Sequence, residues 1–406
     1  MTDDRTKTTV LLGFAEALSA PEVVWSLVDH GFRVIAFARR GRYCALRHSR
    51  HVICHEITPP ALDLPAALAD LRALLASLDH ESRGGERVLM PLDDPAVWMC
   101  SRVALQSGWV LAGPHGDKAD LALNKYRQIR AAEKAGLNVP ETRIATAPDE
   151  ALNADVSFPL ILKAANAVSV CGDRLCSRSN SICANGKELD RALSGWTQGE
   201  HRLVQPFILG TGEGVFGVAT PEGVEAWSSH RRLRMMNPAG SGSSACISQP
   251  VPGELKAPME RFVRDIGWRG LFMIELLRDR SGKVWFMELN GRSWGSMALA
   301  RRQALEYPAW GVSLALNRQS QLTEEPPGIS GIAGRHLGRE LMHLLFVLRG
   351  PKSEAQINWP SFWKAIGEIA RVRPGEYFYN WRKDDPKVFI SDCYYSIRNE
   401  VVKSGR

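Results

Sequence analysis

Apolar and polar positions in the first hundred residues alternate between short apolar runs and amphipathic stretches. The runs at residues 9–14, 33–38 and 87–91 predict buried strands, because each is short and mainly aliphatic. The stretches 21–30 and 64–78 carry apolar residues at helical spacing, and the first has a proline in its opening turn. Strands that alternate with helices in this way indicate a doubly wound parallel sheet.

The pattern changes after residue 115. Residues 120–135 predict one amphipathic helix that ends at Gly136. The chain beyond Pro140 then becomes rich in short apolar runs, which favour strands. The strands predicted in this region are 157–164, 202–209, 215–219, 271–277 and 283–289.

Three parts are predicted from these changes of pattern. The first is an α/β domain and the second is rich in strands. The third follows a link that contains Pro326-Pro327, and it predicts helices with many aromatic residues. The predicted bounds of the three parts are 1–115, 116–316 and 317–406.

The composition is that of a globular protein and excludes several classes. The 406 residues are 45% hydrophobic and 23% charged, which argues against disorder. No apolar run approaches the roughly 20 residues of a membrane span, and the acidic start Met1-Thr2-Asp3-Asp4 argues against a signal peptide. The eight cysteines form no CxxC pair, so reduced thiols in a cytoplasmic protein are expected.

Positive charge is concentrated at the C-terminal end. The net charge is +7, and residues 331–406 hold 13 basic and 8 acidic residues. A basic segment could contact an anionic membrane, a nucleic acid or an acidic substrate, or could simply be a solvated face. The aromatic residues of this segment favour packing between helices over stacking on bases. We therefore expect no nucleic-acid partner.

Two turns of the N-terminal domain are candidate ligand contacts. The turn after the first strand, residues 13–19, lacks the GxGxxG pattern, so no dinucleotide cofactor is predicted. The loop 91–95 follows a strand, where such sheets bind ligands. Two interpretations stay open for Asp94 at this stage. It contacts a ligand, or it or a neighbour caps the helix predicted over 96–106.

Two glutamates are predicted to face each other on a hairpin. Two apolar strands flank Ser281-Gly282, which is suited to a two-residue loop. That loop would place Arg280 opposite Lys283 and therefore Glu275 opposite Glu288. Like charges in such a pair destabilise a sheet. The alternative is a different register in which both carboxylates face solvent.

A divalent cation would resolve the conflict between the two carboxylates. Asn290 lies two residues beyond Glu288 and therefore on the same face. Glu275, Glu288 and the Asn290 amide oxygen form a hard-oxygen set suited to Mg²⁺, with phosphate oxygens as further ligands. Arg292 follows two residues later, and its guanidinium suits a carboxylate, a phosphate or a developing oxyanion.

These residues resemble the metal-binding acidic pair and the ExNxR signature of the ATP-grasp superfamily. Lys125 and Lys163 lie in segments similar to those that carry the family's two phosphate-binding lysines. The strand 203–208 resembles the hinge that lies along adenine, and Glu213 matches the glutamate placed on the ribose. The resemblance covers roughly residues 1–315. It is greatest to carboxylate–amine ligase-like members, which are similar to the large subunit of carbamoyl-phosphate synthase.

The resemblance implies a fold and a set of site residues. The implied fold is a doubly wound parallel-sheet domain, then a two-lobed ATP-grasp domain over 116–316, then the helical extension. It is thus of the mixed α/β and α+β class. The resemblance implies that ATP is bound by Lys125, Lys163, Gln205, Phe207, Ile208 and Glu213. It implies that Mg²⁺ or Mn²⁺ is held by Glu275, Glu288 and Asn290. Arg292 is the implied catalytic residue, which would contact the reacting acyl phosphate.

The implied activity is that of an ATP-dependent ligase. A substrate carboxylate becomes an acyl phosphate, an amine displaces the phosphate, and ADP and phosphate are released. The alternatives are a thiol, hydroxyl or carbamate acceptor, or a non-catalytic ATP-binding module. The expected partners are a small carboxylate and a small amine, with a cell-surface polymer precursor as one class of substrate. A homodimer is the default expectation for assembly.

The chain also departs from the family pattern. Lys163 is followed by a segment with a single glycine, at Gly172, where many relatives have a glycine-rich lid. Met273 stands where several relatives have an arginine, so phosphate charge would fall to Arg232, Arg234 or Arg292. These departures leave the catalytic competence of the lid open.

Overall fold

The computed structural model describes residues 8–81, 85–197, 199–240, 242–318, 330–356 and 358–404. The acidic N-terminal residues and the Pro326-Pro327 link of the sequence predictions lie outside these ranges. Within the described part of the chain, no helix is both long enough and apolar enough to cross a membrane.

The N-terminal domain is a parallel sheet covered by helices on both faces, as the alternating pattern predicts. The sheet order is β3-β2-β1-β4-β5, and apolar clusters fill the space on each side of it. Every pairing in it is parallel. Its elements are β1 Thr9–Gly13, α1 Ala20–Asp29, β2 Arg33–Arg39, the 3₁₀ turn Ala45–His48, β3 Ile53–Ile57, α2 Leu64–Glu81, β4 Arg87–Pro91, α3 Asp94–Ser107 and β5 Val110–Leu111.

The single helix predicted over 120–135 is wrong, because the chain forms two helices here. They are α4, Asp117–Ala122, and α5, Lys125–Lys134. The break lies at Asn124, whose side chain accepts a hydrogen bond from the Arg127 amide and so caps α5. An asparagine at this position competes with helix continuation, since its side chain replaces a backbone partner.

The small lobe of the central domain is an antiparallel sheet with order β10-β7-β11-β6. A separate two-stranded hairpin, β8–β9, is inserted between β7 and β10. The elements of this lobe are β6 Arg143–Ala145, α6 Pro148–Leu152, β7 Leu160–Ala164, β8 Ser169–Cys171, β9 Arg174–Cys176, β10 Ser181–Cys183, α7 Gly186–Leu193 and β11 Arg202–Pro206.

The large lobe is built on a seven-stranded sheet with order β16-β15-β12-β13-β14-β17-β18. Its last two strands belong to the C-terminal segment. The elements are β12 Gly210–Ala219, β13 Val224–Met235, β14 Ser243–Gln249, α8 Gly253–Asp265, β15 Gly270–Asp279, β16 Val284–Asn290, α9 Met297–Arg301, α10 Tyr307–Ala315, β17 Ala333–Arg335, α11 Leu337–Arg349, α12 Phe362–Ala370, β18 Tyr377–Phe378 and α13 Pro386–Ser404.

The loop that joins β15 to β16 differs from the prediction. The prediction of a two-residue loop at Ser281-Gly282 is wrong, because Lys283 faces Asp279 rather than Arg280. The Asp279 amide donates to the Lys283 carbonyl over 3.0 Å, which leaves three residues in the loop. Gly282 has a φ of +89°, a conformation that glycine adopts without steric cost.

A β-bulge in β16 restores the predicted pairing further along the hairpin. Leu276 faces Phe286, whereas Glu275 faces Glu288, so Met287 is an extra residue in β16. The prediction that the two glutamates face each other is therefore confirmed. The longer loop and the bulge each shift the register by one residue, in opposite senses.

The C-terminal segment is mainly helical, as predicted, but it is joined closely to the rest of the molecule. Strand β17 pairs with β14, and β18 pairs with β17, and neither strand was predicted. Asp385 lies at the start of α13 and is 3% exposed. Its carboxylate accepts hydrogen bonds from the Trp25 indole and the Ser49 hydroxyl of the N-terminal domain.

We expect Asp385→Ala to lower the free energy of unfolding by about 2–4 kcal/mol, because it leaves the buried Trp25 indole and the half-buried Ser49 hydroxyl without this acceptor. The matched control is Asp384→Ala. Asp384 is about half exposed and pairs with Arg382 and His51, so its loss should cost less than about 1 kcal/mol. Urea unfolding of both variants measures the difference, and equal losses would contradict the assignment of Asp385 as the link.

Candidate active site

One large cavity lies where the small lobe, the large sheet and the N-terminal domain meet. Its volume is about 1160 Å³, which exceeds the usual range of roughly 300–1,000 Å³ for a small-molecule site. It therefore has room for a nucleotide and a second reactant. Of the residues predicted for the site, all except Glu213 line it: Lys125, Lys163, Gln205, Phe207, Ile208, Glu275, Glu288, Asn290 and Arg292.

The facing carboxylates are each paired with a cation. Glu288 forms an ion pair with the Lys125 ammonium, and Arg232 Nη2 lies 2.7 Å from Glu275 Oε1. Burial alone would raise the pKa of Glu288, but Lys125, Arg292 and Lys163 together lower that pKa to about 2. Glu288 is therefore ionised at any physiological pH.

The donor set fits a hard divalent cation. Asn290 lies on the same face, with its Nδ2 3.5 Å from Glu288 Oε1. Within the described ranges, no group of three or more His, Cys, Asp or Glu side chains is arranged so that it could hold a metal ion. The metal set at this site would therefore be the carboxylates of Glu275 and Glu288 and one amide oxygen. Oxygen ligands of this kind suit Mg²⁺, which usually takes its remaining ligands from water and phosphate.

The segments that carry the two lysines are joined by two hydrogen bonds. Lys125 begins α5, directly after the Asn124 cap, and its amide donates to the Ala165 carbonyl over 2.8 Å. The side chains of Asn124 and Asn166 are also hydrogen-bonded, at 2.9 Å. Because Ala165 lies two residues beyond Lys163, these contacts hold both ammonium groups at the same wall of the cavity.

Lys163 differs electrostatically from Lys125. Burial, reinforced by the positive charge of Lys125, lowers the pKa of Lys163 to about 8. No described carboxylate forms a salt bridge with its ammonium, whereas Lys125 is paired with Glu288. A cation that is buried without a counter-ion attracts an anionic ligand such as a phosphate.

The hinge strand β11 contributes a buried acceptor. Gln205 is 1% exposed, and its Nε2 donates to Thr142 Oγ1 over 2.7 Å. Its Oε1 is buried and has no hydrogen-bond partner within the described ranges. Phe207 and Ile208 follow along the same wall, with the apolar side chain of Ile161 nearby in the cavity lining. An apolar slot with one free acceptor suits the exocyclic amine of a planar base.

The structure does not bring Glu213 into the cavity. Glu213 faces Leu276 in the sheet, and Glu275 is the next residue, so the two carboxylates point to opposite faces. Glu213 instead forms a two-point ion pair with Arg278, at 2.8 and 3.0 Å. A contact between Glu213 and a ribose in the cavity would require this buried pair to open.

Arg292 is held by the N-terminal domain. Its Nε donates to Asp94 Oδ1 over 2.7 Å, and the neighbouring Asp93 caps α3 by accepting from the Ala96 amide. The open interpretation of the 91–95 loop is thus resolved, because Asp93 is the cap and Asp94 lies in the cavity wall. Burial opposes the charge of Arg292, but Asp94 and Glu288 raise its pKa above the ordinary value.

Two residues of β13, His230 and Arg232, belong to the cavity floor, and no role in the site was assigned to His230 from the sequence. Arg232 was among three arginines considered for phosphate, whereas Arg234 is buried against Glu340 and does not line the cavity. His230 was not predicted. Burial and the charge of Arg232 lower the pKa of His230 to about 3, so its ring is neutral.

The alternate glycines of β12, Gly212 and Gly214, are a sequence signal that could have indicated this floor. A Cβ at Gly212 would lie 2.6 Å from the Arg232 side chain, and one at Gly214 would lie 2.9 Å from His230. Alternate glycines in β12 therefore leave room for Arg232 and His230 on the same face. Arg339, the other missed residue, comes from α11, outside the segment that the family pattern covers.

The segment after Lys163 forms a hairpin. Val168 and Leu175 of this hairpin are buried in the core of the N-terminal domain. The amide of Leu64 donates to Asp173, and that of Leu175 donates to Pro60, at 2.7 and 2.8 Å. Residues 177–180, which follow the hairpin, line the cavity.

Comparisons with known proteins bear on the fold. No protein-family model matches the chain, and no curated protein matches it. Among solved structures, it resembles the biotin carboxylase domain of Hydrogenobacter thermophilus 2-oxoglutarate carboxylase, with a TM-score of 0.60 and 16% identity over 80% of this chain and 72% of that chain. It also resembles an L-amino acid ligase from Bacillus licheniformis, with a TM-score of 0.59 and 16% identity over 79% and 78% of the two chains.

A third similar structure is the ADP complex of purK, an N5-carboxyaminoimidazole ribonucleotide synthetase. Its TM-score is 0.60 and its identity 13%, over 85% of this chain and 86% of that chain. The chain therefore has the ATP-grasp fold, which confirms the fold implied by the sequence resemblance. At this level of identity the likeness concerns the fold.

We expect Lys163 to react with an amine-modifying reagent at a lower pH than Lys125, because its pKa is lowered to about 8 whereas that of Lys125 is raised. Trace acetylation at a series of pH values, followed by mass spectrometry, gives the pH at which the reaction of each lysine is half-maximal, which is called its midpoint here. Glu288→Gln should shift the Lys163 midpoint further down, since it removes a negative charge that favours the ammonium. A Lys163 midpoint near the ordinary value of 10.5 would contradict the geometry.

Proposed function

We propose that the protein is an ATP-dependent ligase that activates a carboxylate as an acyl phosphate and transfers the acyl group to an amine. The observation that carries this proposal is the cavity itself. It joins a facing pair of carboxylates, Glu275 and Glu288, to Lys163 and to the buried Oε1 of Gln205. Among the described residues, the Lys163 ammonium has no salt-bridge partner and the Gln205 Oε1 has no hydrogen-bond donor. A binding surface without chemistry has no need of two facing glutamates.

The similar structures support the same class of reaction. The 2-oxoglutarate carboxylase domain was solved with MgADP, ADP and bicarbonate, and purK with ADP. The remaining similar structure is an L-amino acid ligase. Each reaction class named there joins a carboxylate or bicarbonate to an acceptor, and we extend this general class to the present chain. The substrates themselves stay open.

The nucleotide is assigned to the wall between the lobes. The base would lie against Phe207 and Ile208 and donate its amine to Gln205 Oε1. Lys125 and Lys163 would bind the phosphates. Glu275, Glu288 and the Asn290 amide oxygen would hold Mg²⁺ or Mn²⁺, which when bound neutralises phosphate charge. If a cation took the place of Lys125 at Glu288, the Lys125 ammonium would be available to a phosphate oxygen.

Arg292 is assigned to the reacting carboxylate. In the first step, a carboxylate oxygen attacks the γ-phosphorus, an O–P bond forms, and the bond to ADP breaks. In the second step, the amine nitrogen attacks the acyl carbon, and phosphate leaves with the electrons of the C–O bond while the nitrogen loses a proton. The guanidinium is fixed beside Glu288 by Asp94, so it can stabilise charge on the acyl phosphate without reorganising.

The remaining expectations stay predictions. They are small-molecule substrates, a cell-surface polymer precursor as one class, a cytoplasmic location and a homodimer. None of the described contacts bears on the last two.

We expect Mg-ATP to stabilise the wild-type protein, by about 2.7 kcal/mol at a concentration 100 times Kd. Glu288→Gln and Lys163→Ala should each reduce this stabilisation, because they remove a metal ligand and a phosphate contact. Glu213→Gln serves as a matched control, since Glu213 lies on the opposite face of the sheet, and it should keep the Mg-ATP effect. Thermal unfolding with and without Mg-ATP measures all four proteins.

The outcomes of the binding experiment separate the assignments. A wild-type shift that neither Glu288→Gln nor Lys163→Ala reduces would show that the nucleotide binds elsewhere. Loss of the shift in Glu213→Gln alone would restore Glu213 as the ribose contact.

We expect Arg292→Ala to reduce the rate of ADP release by about 10²–10³-fold in the presence of mixed acids and amines, because one preorganised electrostatic donor is lost. Arg280→Gln, in the exposed loop of the hairpin, is the control and should retain the wild-type rate. Binding of Mg-ATP without ADP release by the wild type, with any pool of acids and amines, would instead support a non-catalytic ATP-binding module.

A further inference from the structure

A further cation that forms no salt bridge in the described part of the chain lines the cavity. Arg339 of α11 lines the cavity, and its Nη1 donates to the Ser243 carbonyl over 3.2 Å. Gly242 allows this approach, since a Cβ there would lie 2.7 Å from the Arg339 guanidinium. The C-terminal segment thus contributes a charged side chain to the site.

No carboxylate in the described ranges forms a salt bridge with Arg339. The carboxylate of Asp392 acts on it electrostatically, and this carboxylate accepts hydrogen bonds from His336 and Asn380, at 2.6 and 2.7 Å. Burial lowers the pKa of Arg339 below the ordinary value, which reflects the cost of a guanidinium without a counter-ion. The other arginines assigned to the site, Arg232 and Arg292, each have a carboxylate partner.

Arg232 offers a further donor at the same end of the cavity. One edge of its guanidinium pairs with Glu275, but its Nε is buried and has no hydrogen-bond partner in the described part of the chain. Arg232 faces Cys246 across β13 and β14, and Ser243 of the same strand β14 accepts the hydrogen bond from Arg339. The two guanidiniums therefore lie along the same stretch of β14, where their positive charges repel each other. An anion between them would remove the repulsion and satisfy the free donor.

We propose that Arg339, together with the Nε–H of Arg232, binds a carboxylate of the substrate other than the one that is phosphorylated. This inference rests on the proposed function. A guanidinium that forms no salt bridge in the described ranges suits a carboxylate, because its planar fork can donate to both carboxylate oxygens. The substrate class is therefore an α-amino acid as acceptor, or a dicarboxylic acid as the group that is activated.

The start of α11, which carries Arg339, is joined to α13 and to the N-terminal domain by a chain of hydrogen bonds. His336 precedes α11 and caps it, because its Nδ1 accepts from the Arg339 amide over 3.1 Å. Its other ring nitrogen therefore carries the proton that is donated to Asp392 of α13. Asn380 donates to Asp392 and to the carbonyl of Leu18, a cavity residue of the N-terminal domain.

The test uses pairs of probes that differ by one carboxylate. L-alanine is compared with ethylamine, and succinate with propionate. Each is titrated into the full-length protein saturated with Mg²⁺ and β,γ-imido-ATP, and thermal unfolding gives the half-saturating concentration. We expect the wild type to prefer the carboxylate-bearing member of at least one pair. A preference for L-alanine identifies the acceptor, and one for succinate identifies the activated acid.

Arg339→Gln should raise the half-saturating concentration of the preferred probe about 30-fold or more, because a buried charge pair is lost. Arg339→Lys should raise it less, since the charge is kept. Arg349→Gln, at the far end of the same helix, is the matched control and should change it less than about twofold. The inference is overturned if the wild type prefers neither carboxylate-bearing probe, or if Arg339→Gln keeps the preference.

The same titration separates this inference from the proposed function. Stabilisation by Mg²⁺ and β,γ-imido-ATP alone reports the nucleotide site, and Arg339→Gln should keep it within about twofold of wild-type affinity. If the wild type shows no such stabilisation, the proposed function fails and this inference fails with it. If nucleotide binding is normal in both proteins and only the carboxylate preference fails to depend on Arg339, this inference alone is wrong.

Discussion

The site depends on charge balance across one pair of strands. Glu275 and Glu288 face each other in the hairpin, and such a pair is stable only with positive charge beside it. Lys125 comes from a helix that begins beside the small lobe, and Arg232 from the neighbouring strand β13. The carboxylates therefore hold together the elements that form the cavity, and any metal or phosphate bound there must replace these contacts with equivalent ones.

Much of the fold and the centre of the site could be predicted from local pattern. The strands of the N-terminal domain follow from apolar runs between helices, because a parallel sheet buries both faces. The pairing of Glu275 with Glu288 also emerged from the sequence, although for an incomplete reason. The loop is one residue longer than predicted, and only the extra residue Met287 in β16 compensates for it. A bulge of this kind has no distinctive residue pattern.

The parts that could not be predicted depend on contacts between distant segments. The helix break at Asn124 is stabilised by Asn166, which lies 42 residues later in the chain. Glu213 matches a family position, yet its side chain is held on the opposite face of the sheet by Arg278. Arg339 reaches the cavity only because β17 extends the large sheet and places α11 beside β14. None of these neighbours can be identified from spacing alone.

The hairpin β8–β9 has a consequence for how the cavity exchanges its contents. It follows Lys163, where the sequence resemblance implies a phosphate lid. Val168 and Leu175 are buried in the N-terminal domain, and two backbone hydrogen bonds join the hairpin to that domain. A lid joined at both ends cannot swing as a free flap. If the protein binds a nucleotide as proposed, the small lobe and the N-terminal domain would have to separate for it to leave, and the opening of this apolar contact would then contribute to the rate of exchange.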